Sequence, residues 1–94
     1  ARMLAHSDTY REMTGALMQA ADSLCGGRLV MVHEGGYSEA YVPFCGQAIM
    51  ETLSGRRTQV IDPFLDFLMA QQPPPGFDSL EAQRLADMAA LYGV

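Results

Sequence analysis

Lysine and tryptophan are absent from this 94-residue sequence, and charge of either sign is sparse. The six basic residues are all arginine, set against eleven acidic ones, for a net charge of -5. Nucleic acids and anionic membranes select basic patches. The single close basic pair, Arg56-Arg57, makes none, so both partner classes are excluded. No apolar run approaches the roughly 20 residues of a membrane span. The N-terminal stretch from Ala1 to His6 lacks the apolar core of a signal peptide. The two cysteines, Cys25 and Cys45, form neither a disulfide framework nor a zinc spacing. They read as free thiols in a reducing compartment, and the chain as cytoplasmic.

What is present is apolar content: 49% of residues, with only 18% charged, which excludes disorder for most of the chain. Thr9-Tyr10-Arg11-Glu12 fits a capping box, with Thr9 as N-cap and Glu12 reaching back. Tyr10, Met13, Leu17, Ala21 and Leu24 follow at helical spacing, and Gly26-Gly27 supplies the stop. The spacing predicts a helix over about 9–25 with that stripe buried. Leu29-Val30-Met31-Val32 is continuously apolar, the pattern of a strand covered on both faces in a parallel sheet. Helix, glycine turn and buried strand make the second half of a βαβ unit. One strand cannot form a sheet, so the residues predict a piece of a larger α/β domain.

Glu34-Gly35-Gly36-Tyr37-Ser38 follows, where two glycines permit a sharp turn or close approach to a ligand. Pro43 suits a first helical turn, which places a second helix from about Tyr41 or Val42 to Gly55, burying Val42, Cys45, Ile49 and Leu53. Asp62-Pro63 is expected to open a short helix through Ala70. Pro73-Pro74-Pro75-Gly76 breaks the chain before a last helix capped by Asp78, with Leu80, Leu85, Met88 and Leu91 as its apolar face. The seven methionines match core positions better than a cofactor box.

In open α/β sheets ligands bind at the carboxyl ends of strands, where the Glu34–Tyr37 turn would lie. The stretch from Gly27 through His33 to Glu34-Gly35-Gly36-Tyr37 resembles the last motif of the histone-deacetylase superfamily. His6-Ser7-Asp8 leading into a helix with Tyr10 and Met13, and a helix ending Glu51-Thr52-Leu53-Ser54-Gly55, resemble its bacterial class II-like and acetylpolyamine amidohydrolase branch. The resemblance covers about residues 1–62, which it marks as the C-terminal portion of a deacetylase catalytic domain, with residues 63–94 as a helical extension. It implies an α/β fold: the C-terminal part of a three-layer arginase/deacetylase-like architecture with a parallel sheet.

The resemblance also implies a chemistry. Such enzymes hold one zinc ion by two aspartates and a histidine, and the metal acidifies its bound water to a pKa of roughly 7. The motif tyrosine, here Tyr37, is then the catalytic donor to the scissile carbonyl of an acetyl-lysine or acetylated polyamine. Gly35 and Gly36 are the implied substrate-binding positions, letting the phenol swing into the acyl channel. No Asp-x-His occurs, and His6 and His33, the only histidines, are expected to be structural or exposed rather than ligands. Glu34 is expected to brace the turn by hydrogen bonds, and Tyr41 to pack. Metal ligands are therefore expected from none of these residues, and zinc only in the full-length enzyme. The segment alone is expected to be inactive, its main partner being the remainder of the catalytic domain. The alternative is a non-enzymatic helical interaction module, and a homo-oligomer built through the last helix is compatible with either.

Overall fold

A computed structural model describes residues 4–94 of the chain. Ala1, Arg2 and Met3 lie outside the described residues, and with them the first part of the expected 1–62 segment and of the stretch read as lacking a signal core. Four helices follow in order: α1 (Ser7–Cys25), α2 (Val42–Ser54), α3 (Leu65–Met69) and α4 (Phe77–Tyr92). None of them is long and apolar enough to cross a membrane.

α1 begins two residues earlier than its sequence signal. His6 is the N-cap: its Nδ1 accepts from the Thr9 N–H at 3.4 Å, and the Thr9 hydroxyl faces the His6 N–H at 3.5 Å. An imidazole therefore takes the place the capping-box reading gave to the Thr9 hydroxyl. Gly26, at φ 63°, closes the helix, and the Gly27 N–H bonds to the Ala21 carbonyl at 3.0 Å. α2 starts at Val42 with Pro43 in its first turn and ends at Gly55, φ 65°. These two glycines accept the left-handed backbone that a side chain would resist.

α1 and α2 pack against each other, and their buried residues are small or polar. Ser7, Thr14 and Ala21 recur every seven positions on α1; Cys45, Ala48 and Glu51 every three on α2. Thr14 satisfies its buried hydroxyl by donating to the Tyr10 carbonyl at 2.7 Å. Of the five residues of the predicted stripe on α1, one is buried. Ala21 is buried, but Met13 and Leu17 are about half exposed and Leu24 is open to solvent. Small side chains let the helix axes approach closely, and that contact, not the larger stripe, is what is sealed here.

The α/β expectation is overturned: there is no strand and no sheet among the described residues. Leu29–Val32 forms no ladder, and Val30 and Val32 are 85% and 84% exposed. A strand is a pairing of two backbones, and apolar side chains alone do not create one where no second strand lies alongside. Among the described residues the architecture is all-helical, a two-helix pair with α3 and α4 appended.

The segment after α2 is tied down by polar groups and by the Phe44–Phe64 ring pair, whose centroids are 6.3 Å apart. Glu51, buried on α2, accepts from the Thr58 N–H at 2.8 Å and its hydroxyl at 2.6 Å. It also pairs with Arg11 of α1 at 2.9 Å. The Ser7 hydroxyl donates to Asp62 at 2.6 Å, and Asp62 in turn accepts the Phe64 N–H at 2.9 Å ahead of α3. Asp62 thus organises the turn into α3, although the helix itself starts later than predicted. α3 buries Leu68, whereas α4 buries nothing. α4 starts from Gly76, and Asp78, expected as its cap, sits within the first turn.

The total accessible surface is 7,786 Å². A folded monomer of this mass exposes about 5,300 Å². Much apolar area of α1, α4 and the 29–32 run is therefore left bare.

Candidate functional site

The Glu34–Tyr37 turn lies in the irregular stretch between α1 and α2. Gly35 and Gly36 have φ of 72° and 81°, so both take the left-handed conformation that the glycine pair was expected to permit. Tyr37 is 96% exposed. Its ring leans back over Gly35, where an added Cβ would meet Tyr37 Cε2 at 3.9 Å. The turn feeds directly into α2: the Val42 N–H bonds to the Ser38 carbonyl at 3.2 Å, and the Tyr41 carbonyl accepts from Phe44 and Cys45 at 3.0 and 3.2 Å. Tyr41 is half-buried and serves as the N-cap residue of α2.

The space a side chain at Gly36 would need is occupied. A Cβ there would stand 2.8 Å from His33 Nε2 and 3.1 Å from Val42 Cγ1. Glu34, expected to brace this turn, is exposed and is joined to it by no hydrogen bond among the described residues. The nearest side chain to the place of a Gly36 Cβ is that of His33, three positions back, which sequence reasoning passed over.

The two histidines do different work. His6 is buried and committed through Nδ1 to capping α1, whereas His33 is exposed beside Gly36. No group of three or more His, Cys, Asp or Glu side chains that could hold a metal ion comes together among the described residues. The donor set does not fit a catalytic zinc. Burial, and then the charge of Asp62, push the Cys45 thiol pKa upward, which disfavours the thiolate.

The one strongly perturbed carboxyl, Glu51, lies away from the turn. The hydrogen bonds from the Thr58 hydroxyl and N–H, followed by Arg11, lower its pKa to about 2 against partial burial. Its environment is a shallow cavity of about 220 Å³ between α1, α2 and the 57–62 segment. A larger open hollow of about 390 Å³ runs from the start of α1, at His6, Asp8 and Glu12, to Gln72 and Asp78. Tyr37 lines neither. The Glu51 hub joins residues up to 40 positions apart, so no local pattern could have disclosed it.

No family model matches the chain. A histone deacetylase-like amidohydrolase of Pseudomonas aeruginosa is 55% identical to it over 94 residues, which is 100% of this chain and 25% of that protein. The chain thus spans a quarter of the length of the curated relative it matches. The likeness runs past residue 62 and takes in the helical extension as well. Over its whole length, then, the chain is a relative of the histone deacetylase-like amidohydrolases, as the Glu-Gly-Gly-Tyr turn and its flanking helices had indicated.

Proposed function

We propose that this chain is part of a zinc-dependent amidohydrolase that removes acetyl groups from acetyl-lysine or acetylated polyamines, and that its contribution to the chemistry is Tyr37. The observation that carries this reading is the 55% identity, over 94 residues and so the whole of this chain, to a protein named as a histone deacetylase-like amidohydrolase. The geometry of the turn supports it. A phenol carried on two left-handed glycines and left uncovered by the described residues is available to a ligand. Its hydroxyl is a neutral hydrogen-bond donor. Aimed at an amide carbonyl, it stabilises the oxyanion of the tetrahedral intermediate more than it stabilises the ground state. Gly35 and Gly36 allow that aim by placing no Cβ between backbone and substrate.

Zinc, on this reading, would be held by the remainder of the catalytic domain and would supply an activated water there. The remainder of the catalytic domain is the natural cover for the surface this chain leaves bare, some 2,500 Å² beyond that of a monomer of its size. The competing reading, a non-enzymatic helical module, draws on α4, which buries no residue. The identity to an amidohydrolase extends through α4 too, and weighs for the enzyme.

The test is Tyr37→Phe in the complete protein. Loss of one oxyanion donor is expected to lower kcat about 100- to 1,000-fold, with zinc content and melting temperature unchanged. Activity toward an acetyl-lysine peptide within a few-fold of the parent would overturn the assignment.

A further inference from the structure

α1 is capped by an imidazole, and such a cap works in one protonation state of the ring. His6 is 8% exposed, and its Nδ1 accepts from the Thr9 N–H at 3.4 Å. A neutral imidazole has one ring nitrogen that donates and one that accepts. The cap therefore requires the proton on Nε2 and the lone pair on Nδ1. A proton on Nδ1 turns the acceptor into a donor and sets two N–H groups against each other. The Thr9 hydroxyl, 3.4 Å from Nδ1, can accept from the charged ring, but the Thr9 N–H is left without its partner. A cation also lies unfavourably at the positive end of a helix. Serine, threonine and asparagine caps have no such dependence on pH. The contact spans three residues and the ring is buried within this chain, so polypeptide packed on the chain adds to that burial.

The charged groups around the ring are few. Asp8 and Glu12 of α1 and Asp78 of α4 line the same hollow as His6, and all three favour the imidazolium. α3 and the turn after it contribute Met69, Gln72 and Pro73, none of them titratable. Arg11 is drawn away to Asp8 at 3.6 Å and Glu51 at 2.9 Å, and Asp62 is engaged by the Ser7 hydroxyl. We propose that His6 is a pH-sensitive cap: as a neutral ring it closes the start of α1, and as an imidazolium it releases it. The cap is present at higher pH and is lost as pH falls through the titration of the ring. Helix end and carboxylates pull the charge in opposite directions, so the signature is local fraying of the first turn. The inference is independent of the role given to Tyr37.

The experiment is hydrogen–deuterium exchange on the complete protein at about pH 8 and about pH 5.5, either side of the range in which imidazole changes charge. Exchange is followed in peptides covering residues 7–10 and corrected for the intrinsic effect of pH. Protection of that turn in the parent is expected to fall about fivefold at the lower pH, the effect of losing one N-cap. His6→Asn, a cap that does not titrate, is expected to hold its protection at both pH values, and His6→Ala to be poorly protected at both. Equal protection of the parent at the two pH values overturns the inference without recourse to any variant. A fall in His6→Asn as large as the parent's overturns it by assigning the change to another group. A His6→Ala turn as protected as the parent's at about pH 8 overturns the cap itself.

Discussion

Gly35 and Gly36 are adjacent, share the left-handed conformation, and differ in what surrounds them, so the pair makes an internally controlled perturbation. Gly35→Ala at φ 72° meets nothing closer than 3.9 Å. Its cost is the backbone term alone, about 1–2 kcal/mol for a non-glycine residue in that region. Gly36→Ala, at φ 81°, carries the same backbone cost, and its methyl also meets His33 Nε2 at 2.8 Å and Val42 Cγ1 at 3.1 Å. The imidazole is the end of an exposed side chain and can rotate aside. Val42 is fixed in the first turn of α2, so the backbone must yield there, for about 1 kcal/mol more, the low end of overpacking costs. A difference of about 1 kcal/mol changes the population of the native turn about fivefold. In the complete protein, Gly36→Ala is therefore expected to lower deacetylation several-fold more than Gly35→Ala, with similar zinc content for both. The assay is kcat on an acetyl-lysine peptide, alongside thermal unfolding of each variant. Equal activity of the two variants would refute the claim that the His33–Val42 slot matters, and a parental rate for both would refute the left-handed turn itself.

Three further outcomes follow from the packing. Glu51 has its pKa depressed from 4.5 to about 2 in the folded chain, so its contribution to stability is complete above about pH 4.5 and disappears as pH falls through 2. Glu51→Gln is expected to be less stable at neutral pH and to show a flatter acid-unfolding profile across that window; an unchanged profile would deny the Thr58 and Arg11 contacts. Ala48 is 1% exposed at the α1–α2 contact, and Ala48→Leu is expected to cost about 1–3 kcal/mol, read as a lowered denaturation midpoint. Asp62→Ala strips the buried Ser7 hydroxyl of its acceptor at 2.6 Å and the Phe64 N–H of its acceptor at 2.9 Å, and is expected to cost about 1–3 kcal/mol, of which the Ser7→Ala, Asp62→Ala pair recovers only the Ser7 share.

What was legible in the sequence was local. Gly26 and Gly55 end their helices as the pattern implied, and α2 begins at Val42 because Pro43 fits a first turn. The Glu-Gly-Gly-Tyr turn takes the backbone its glycines allow, and it carried the family resemblance that the 55% identity bears out. Cap, stop and turn signals act over a few residues, so a few residues suffice to read them. Three matters needed the tertiary structure because each depends on a neighbour distant in the chain. Leu29–Val32 reads as a strand by composition, yet without a second backbone beside it the segment stays irregular and exposed. The buried face of α1 is chosen by how closely α2 can approach, which favours Thr14 and Ala21 over Met13 and Leu17. The carboxylate hub at Glu51 exists only where α1, α2 and the Thr58 segment converge.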